Sequence, residues 1–333
     1  MVEGSSAYLK IADGCRRPCA FCAIPAIKGT HVSRPIESII SEARFLRDNG
    51  VQEIILISQD STDYGHDLGI KNGLAHLLRE LVAAVPDMPW IRIMYAFPGY
   101  VTDELIETIA THSQIVNYLD MPLQHGHRET LKRMRRPANL EWVYATLDKM
   151  RAQITDLAIR TTFIVGYPGE TDEEFEALLQ FVRDIEFDRL GAFRYSYEEG
   201  TPSADLSGHV AEEVKEARWA ELMELQQGIS LKKNQAWVGR QLDVLVEKHA
   251  ETEDEDGNPL DEIISVGRSY RDAPEIDGIV LIEGAAPIGE IVPMRVTGAM
   301  AYDLVGTVDL GETRIIQPGT IINADGIIQP PKS

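Results

Sequence analysis

Cys15-Arg16-Arg17-Pro18-Cys19-Ala20-Phe21-Cys22 is the stretch that decides how this chain reads. It holds all three cysteines of the protein, in the spacing C-x3-C-x2-C. An odd number of thiols within eight residues makes a poor disulfide framework; ligation of a metal or cluster in a reducing compartment fits better. A [4Fe–4S] cluster usually takes four thiolates, one per iron. Three leave one iron open or ligated from elsewhere, and an open position is the mark of a metal that binds substrate. Two other readings fit the same residues: a zinc site completed by His31, and three unrelated buried thiols.

Outward from this cluster the pattern alternates. Strand-like apolar runs occupy residues 8–12, 53–58, 90–95, 116–121, 160–165 and 191–196. Helical periodicity fills the gaps at 36–49, 74–85, 102–111, 140–150 and 172–185. Strands alternating with helices of this length predict parallel βαβ units. Six units are too few for a closed eight-stranded barrel, so the α/β fold expected is a partial, open (β/α)6 barrel. The cysteines then lie on the loop after the first strand, at the face where such barrels do chemistry. A long helix is expected over 211–235. After Trp237 the runs at 241–247, 262–265, 278–282 and 291–297 are short, β-rich and punctuated by Gly and Pro, which predicts a small all-β barrel. The domains expected are a leader (1–6), the (β/α) core (7–236), the β-barrel (237–310) and an unassigned tail (311–333).

Composition narrows the function classes. The chain has 333 residues, 44% of them hydrophobic and 26% charged, which suits about two globular domains. No apolar run is long enough to span a bilayer, and the start lacks the basic and apolar regions of a signal peptide, so a cytoplasmic protein is expected. A net charge of −21 argues against generic nucleic-acid binding. It fits either simple solubility or a basic macromolecular partner.

Three further runs follow strand-like segments: Ile57-Ser58-Gln59-Asp60-Ser61-Thr62-Asp63-Tyr64-Gly65, Tyr118-Leu119-Asp120-Met121-Pro122-Leu123-Gln124-His125, and Arg160 through Val165-Gly166-Tyr167-Pro168-Gly169-Glu170-Thr171. With the cysteine motif, and with Ala273-Pro274-Glu275-Ile276-Asp277-Gly278 in the β-rich region, they resemble the radical-SAM methylthiotransferase family over nearly residues 7–310. The likeness is greatest to the branch that methylthiolates an aspartate of a small-subunit ribosomal protein (S-twelve type). The resemblance implies that Cys15, Cys19 and Cys22 ligate a [4Fe–4S] cluster, with S-adenosylmethionine (SAM) on the fourth iron. Reductive cleavage would release a 5′-deoxyadenosyl radical, with flavodoxin as the kind of electron donor. It implies that Gln59 and Asp60 meet the amino end of SAM, although the Gly-Gly-Glu run common at that place is missing. Gln124 and His125 would face the same site, Gly166 and Pro168 would meet adenine, and Phe21 would pack near it or serve as a core aromatic. The β-barrel resembles the family's TRAM domain, an OB-like module. Full-length members begin with a further domain carrying a second [4Fe–4S] cluster, which this chain is expected to lack.

A tRNA-modifying methylthiotransferase shares this architecture, and a zinc-stabilised binding protein is the reading from another class. Residues 241–310 hold sixteen acidic and four basic side chains, a balance of −12. The densest patch is Glu251, Glu253, Asp254, Glu255 and Asp256, and the charge continues at Asp272, Glu275, Asp277, Glu283 and Glu290. A module gripping tRNA should be basic, whereas one gripping a basic ribosomal protein can be acidic. The basic run 128–136, with five Lys or Arg residues, reads mainly as a solvated helix face, with substrate contact as the alternative.

Overall fold

A computed structural model describes residues 4–253, 259–308, 321–322 and 328–329. Near-continuous apolar runs, such as that of Glu53–Ile57, suit strands covered on both faces. Six of them, β1 (Ser6–Lys10), β2 (Glu53–Ile57), β3 (Trp90–Ile93), β4 (Ile115–Asp120), β5 (Ala158–Val165) and β6 (Arg189–Arg194), form one sheet in sequence order. Every neighbouring pair is parallel. The order ends at β1 and β6 without closing, which is the open (β/α)6 barrel expected.

Helices α1 (Ile36–Asp48), α2 (Gly73–Ala84), α3 (Asp103–Thr111), α4 (Leu140–Gln153) and α5 (Asp172–Ile185) make the crossovers. Helix α5 starts on a capping box: Thr171 Oγ1 accepts from the Glu174 amide, and the Glu174 carboxylate accepts from the Thr171 amide. Leu9, Ile54, Leu56, Ile91, Ile93, Leu119 and Phe163 from the strands pack with Leu78, Ile106, Leu147 and Leu178 from the helices in one buried core. Inside the sheet lies a pair that hydrophobic periodicity cannot reveal. Arg92 Nε donates to Glu53 at 2.7 Å, and both side chains are fully buried.

A final helix, α6 (Glu212–Gln235), lies along the β5–β6 side, where Trp219 Nε1 donates to Ala192 O at 2.9 Å and Gln226 Nε2 to Phe187 O at 2.9 Å. Ser6–Ser230 forms one compact unit, and the described residues from Leu231 onward belong to a second. In the second, β7 (Gln241–Glu253), β8 (Pro259–Ser269), β9 (Val280–Glu283), β10 (Ile291–Ala299) and β11 (Leu304–Val308) close into a five-stranded barrel, in the order β8-β9-β11-β10-β7. Val244, Val246, Val280, Ile282, Met294 and Leu304 fill it.

The sequence reading stopped short at two places. Strand β8 starts before residue 262, and β11, with Gly306 in its middle, lies beyond the four runs expected. Asp272 corrects the expected acidic surface: it is buried, accepting from Ser269 Oγ at 2.6 Å, so its charge is internal. Residues 254–256 of the acidic patch lie outside the described residues, as do most of the tail and residues 1–3 of the leader. Within the tail, Ile321–Ile322 pairs antiparallel with Ile328–Gln329. Among the described residues no helix is long and apolar enough to cross a membrane.

Candidate active site

The cysteine loop leaves β1 through a tight passage. Gly14 sits at φ +73°, and a Cβ there would lie 2.2 Å from the Thr30 carbonyl oxygen, so only glycine fits. Beyond it the Cys15 amide donates to Gly29 O at 3.1 Å, Cys22 N to Cys19 O at 3.2 Å, and Ala20 N to Met134 O at 2.9 Å.

Two arginines between the cysteines latch this loop to the loop after β2. Arg17 Nε donates to Asp60 at 2.6 Å, and Arg16 grips Asp63 with two bonds of 2.6 Å. The latch continues to the β3 loop, where Thr62 Oγ1 donates to Asp60 and accepts from the Phe97 amide, and Ser61 Oγ donates to Met94 O. Burial alone would raise the Asp63 carboxyl. The bonds from Arg16 and the charges of both arginines outweigh it, and the net shift is below the usual carboxylate value.

The three thiols open onto a cavity of about 380 Å³ at the C-terminal ends of the strands. Phe21, Gln59 and Gln124 line it, together with Tyr95, Phe97 and Arg136. Gln124 is held at φ +75° by its backbone, donating to Thr162 O at 2.8 Å and accepting from Ile164 N at 2.9 Å. Tyr95, at φ +62°, is the other cavity residue with left-handed backbone outside glycine. Such positions cost about 1–3 kcal/mol each and persist only where neighbours enforce them, commonly at functional sites. The Oε1 atom of Gln59 is buried without a hydrogen-bond partner, a vacancy that a donor in the cavity would satisfy.

Burial disfavours bare thiolates in the cavity. Burial pushes the Cys15 and Cys22 thiols above their ordinary value, so they become ligands only when a metal replaces the proton. Arg136 is itself buried and donates from Nη1 to Cys19 Sγ at 3.6 Å. Zinc fits less well: among the described residues no group of three or more His, Cys, Asp or Glu could hold one metal ion. His31 is buried beside Ser33 Oγ at 3.3 Å and does not line the cavity. A cluster that takes one thiolate per iron has no need for the thiols to converge on a point.

Four expected site residues are placed elsewhere. Asp60 is 1% exposed, with its carboxylate taken by Arg17 and Thr62, and does not line the cavity. His125 is fully buried and faces Glu170, which Arg218 also grips. Gly166, at φ +68°, leaves room for Lys215 of α6: a Cβ there would lie 2.3 Å from Lys215 Cγ. Pro168 is buried beyond it and also lies off the cavity wall.

Arg136 and Phe97 were missed. In the basic run, Arg128 and Lys132 do form exposed pairs with Glu141 and Glu129. Arg136 differs because it lies beyond the short helix Arg128–Arg133, next to Pro137, with its side chain buried. That dipeptide was the available signal.

Residues 9–182 match the radical SAM superfamily, and residues 238–308 match the TRAM domain. Ribosomal protein uS12 methylthiotransferase RimO of Roseiflexus castenholzii is 53% identical over 318 residues, covering 94% of this chain and 64% of that protein. RimO of Lachnoclostridium phytofermentans is 44% identical, covering 92% of this chain and 68% of the relative. The chain belongs to the RimO family of radical SAM proteins. It spans about 64% of the length of the first of these relatives. Among solved structures, the radical SAM methyltransferase TsrM of Kitasatospora setae, bound to cobalamin and a [4Fe–4S] cluster, superposes with a TM-score of 0.51. It is 19% identical, with 60% of this chain and 39% of that one covered, and it supports the fold alone.

Membership of the radical SAM superfamily implies a [4Fe–4S] cluster and SAM. The residues fit both. Three cysteines line the cavity, Gln59 Oε1 lacks a donor, and the cavity volume falls in the small-molecule range of about 300–1,000 Å³.

Proposed function

We propose that this chain is the radical-generating part of a methylthiotransferase acting on an aspartate of a basic small-subunit ribosomal protein. The observation that carries the reading is three cysteines lining one cavity at the C-terminal ends of parallel strands, with no fourth cysteine in the sequence. Cys15, Cys19 and Cys22 would hold a [4Fe–4S] cluster, which when bound would supply the electron for reductive cleavage of SAM.

The protein positions and shields. Gln59 and Gln124 offer amide groups to the polar end of SAM, and Phe21 and Phe97 wall the cavity with apolar rings. The Arg16–Asp63 and Arg17–Asp60 latch fixes the loop on which all three thiols ride. All three cysteines are assigned to that cluster, so a second, sulfur-donating cluster would need other ligands. Flavodoxin is the kind of donor that would reduce the first. After anaerobic reconstitution and reduction, the chain is expected to turn SAM into 5′-deoxyadenosine and methionine slowly, and to leave the aspartate unmodified. Mass spectrometry of both products decides. No 5′-deoxyadenosine from a cluster-loaded sample would contradict the reading, and methylthio-aspartate from this chain alone would contradict the second-cluster part.

The partner follows from the barrel's charge. Residues 241–310 carry −12, and Glu275, Glu283 and Glu290 are exposed. One exposed ion pair contributes only about 0–1 kcal/mol, so many must act together, and salt should weaken them jointly. The full chain is therefore expected to bind the basic ribosomal protein at low salt and much more weakly at about half-molar salt, where the Debye length is only a few Å. Glu253→Lys with Glu255→Lys should slow association more than it speeds dissociation. Surface plasmon resonance reads both rates. Tight tRNA binding with none to the ribosomal protein would favour a tRNA-modifying enzyme of the same architecture.

A further inference from the structure

Arg136 lines the cavity, and SAM cleavage, as derived above, leaves it unused. It is 8% exposed, and its Nη1 is 3.6 Å from Cys19 Sγ. Nη2 donates to the Pro122 carbonyl, and the guanidinium carbon lies 4.0 Å from the centroid of the Phe97 ring. Its Nε has no hydrogen-bond partner. Arg17, beside the same ring at 4.6 Å, is neutralised by Asp60 at 2.6 Å. Arg136 has no such partner: its only sulfur or oxygen contacts among the described residues are Cys19 and a carbonyl. A buried guanidinium without a carboxylate is costly unless a negative charge faces it. The group it faces is a cysteine that carries that charge once it ligates iron.

We propose that Arg136 is a positioning residue that holds its cation against the Cys19 ligand and raises the reduction potential of the cluster. This rests on the assignment of the three cysteines to a [4Fe–4S] cluster. Hydrogen bonds to ligating sulfurs are among the protein's means of setting cluster potentials. Reduction adds one negative charge to a cluster that already has three thiolates. A fixed cation beside one of those sulfurs stabilises the reduced form more than the oxidised form, so the electron enters more readily. The loop geometry aims the charge at one ligand: the Ala20 amide is tied to Met134 O at 2.9 Å, which joins the cysteine loop to the segment carrying Arg136.

The test is an EPR-monitored redox titration, without SAM, of reconstituted wild-type, Arg136→Lys and Arg136→Gln proteins. Iron content is measured first on each. At the wild-type midpoint, Arg136→Gln is expected to show a reduced-to-oxidised ratio about tenfold lower, which is 59 mV for one electron. Arg136→Lys keeps the charge but loses the planar fork, and its shift should be smaller in the same direction. Equal midpoints in all three proteins with intact clusters would overturn the proposal and leave Arg136 as a clamp on Pro122 and Phe97. Should Arg136→Gln load no iron, Arg136→Lys alone decides by the same criterion. Failure of the wild type to assemble a cluster overturns the cysteine assignment itself, an outcome distinct from an unshifted potential.

Discussion

Alanine at Cys15, Cys19 or Cys22 is expected to remove the cluster and with it all cleavage of SAM, each variant being as inactive as the triple one. Losing a supporting hydrogen bond around a metal costs about 10–100-fold. Losing one of only three anchoring thiolates removes a bond that nothing else in the chain replaces, since no fourth cysteine exists. The fold should survive, because a thiol is small and its deletion costs only about as much as a buried methylene, near 0.8 kcal/mol. Iron analysis and the visible spectrum report the cluster, and circular dichroism reports the fold. A single-cysteine variant that keeps about four irons and cleaves SAM would contradict the assignment.

Asp60→Asn should destabilise the whole loop cluster rather than weaken SAM binding alone. Asp60 and Arg17 are both buried and 2.6 Å apart. Breaking a buried pair from one side costs about 3–5 kcal/mol where the remaining charge has no other partner; Arg17 keeps a 3.4 Å contact with Asp63, so the cost here should fall below that range. The variant is expected to have a lower melting temperature and to lose iron quickly, because the latch holds the loop that carries the thiols. A residue that only touched the SAM ammonium would give the opposite result, with normal stability and cluster content but weak SAM affinity. Calorimetry and iron retention separate the two. Asp63 adds a pH signature. Its folded value lies below the ordinary 3.8, so its contribution is full above that value and is lost as the pH falls through the lower folded one.

The sequence revealed most where chemistry is written in local spacing. Three cysteines in eight residues, strands at regular intervals and the TRAM-like turn signals are all short-range patterns, and the open (β/α)6 sheet and the β-barrel followed from them. What it hid depends on pairs distant in the chain. Arg92 and Glu53 are charged residues within apolar runs, and only the register of β2 against β3 places them 2.7 Å apart. Asp60 reads equally well as a ligand contact or a latch until Arg17, 43 residues earlier, is brought beside it. Gly166 carries a motif's glycine, yet the space above it is filled by Lys215 from a helix that the motif does not include. Arg136 sits in a charge run in which Arg128 and Lys132 form exposed pairs and Arg133 grips Glu174, and composition alone does not mark it as the member that meets Cys19.

The central claim is that these three thiols hold an iron–sulfur cluster. One absorption spectrum after anaerobic iron–sulfur reconstitution, with iron and zinc measured on the same sample, tests it most directly. The expected result is a brown protein with about four irons and a broad band that bleaches on reduction. A colourless protein that takes up one zinc and resists reconstitution would contradict it.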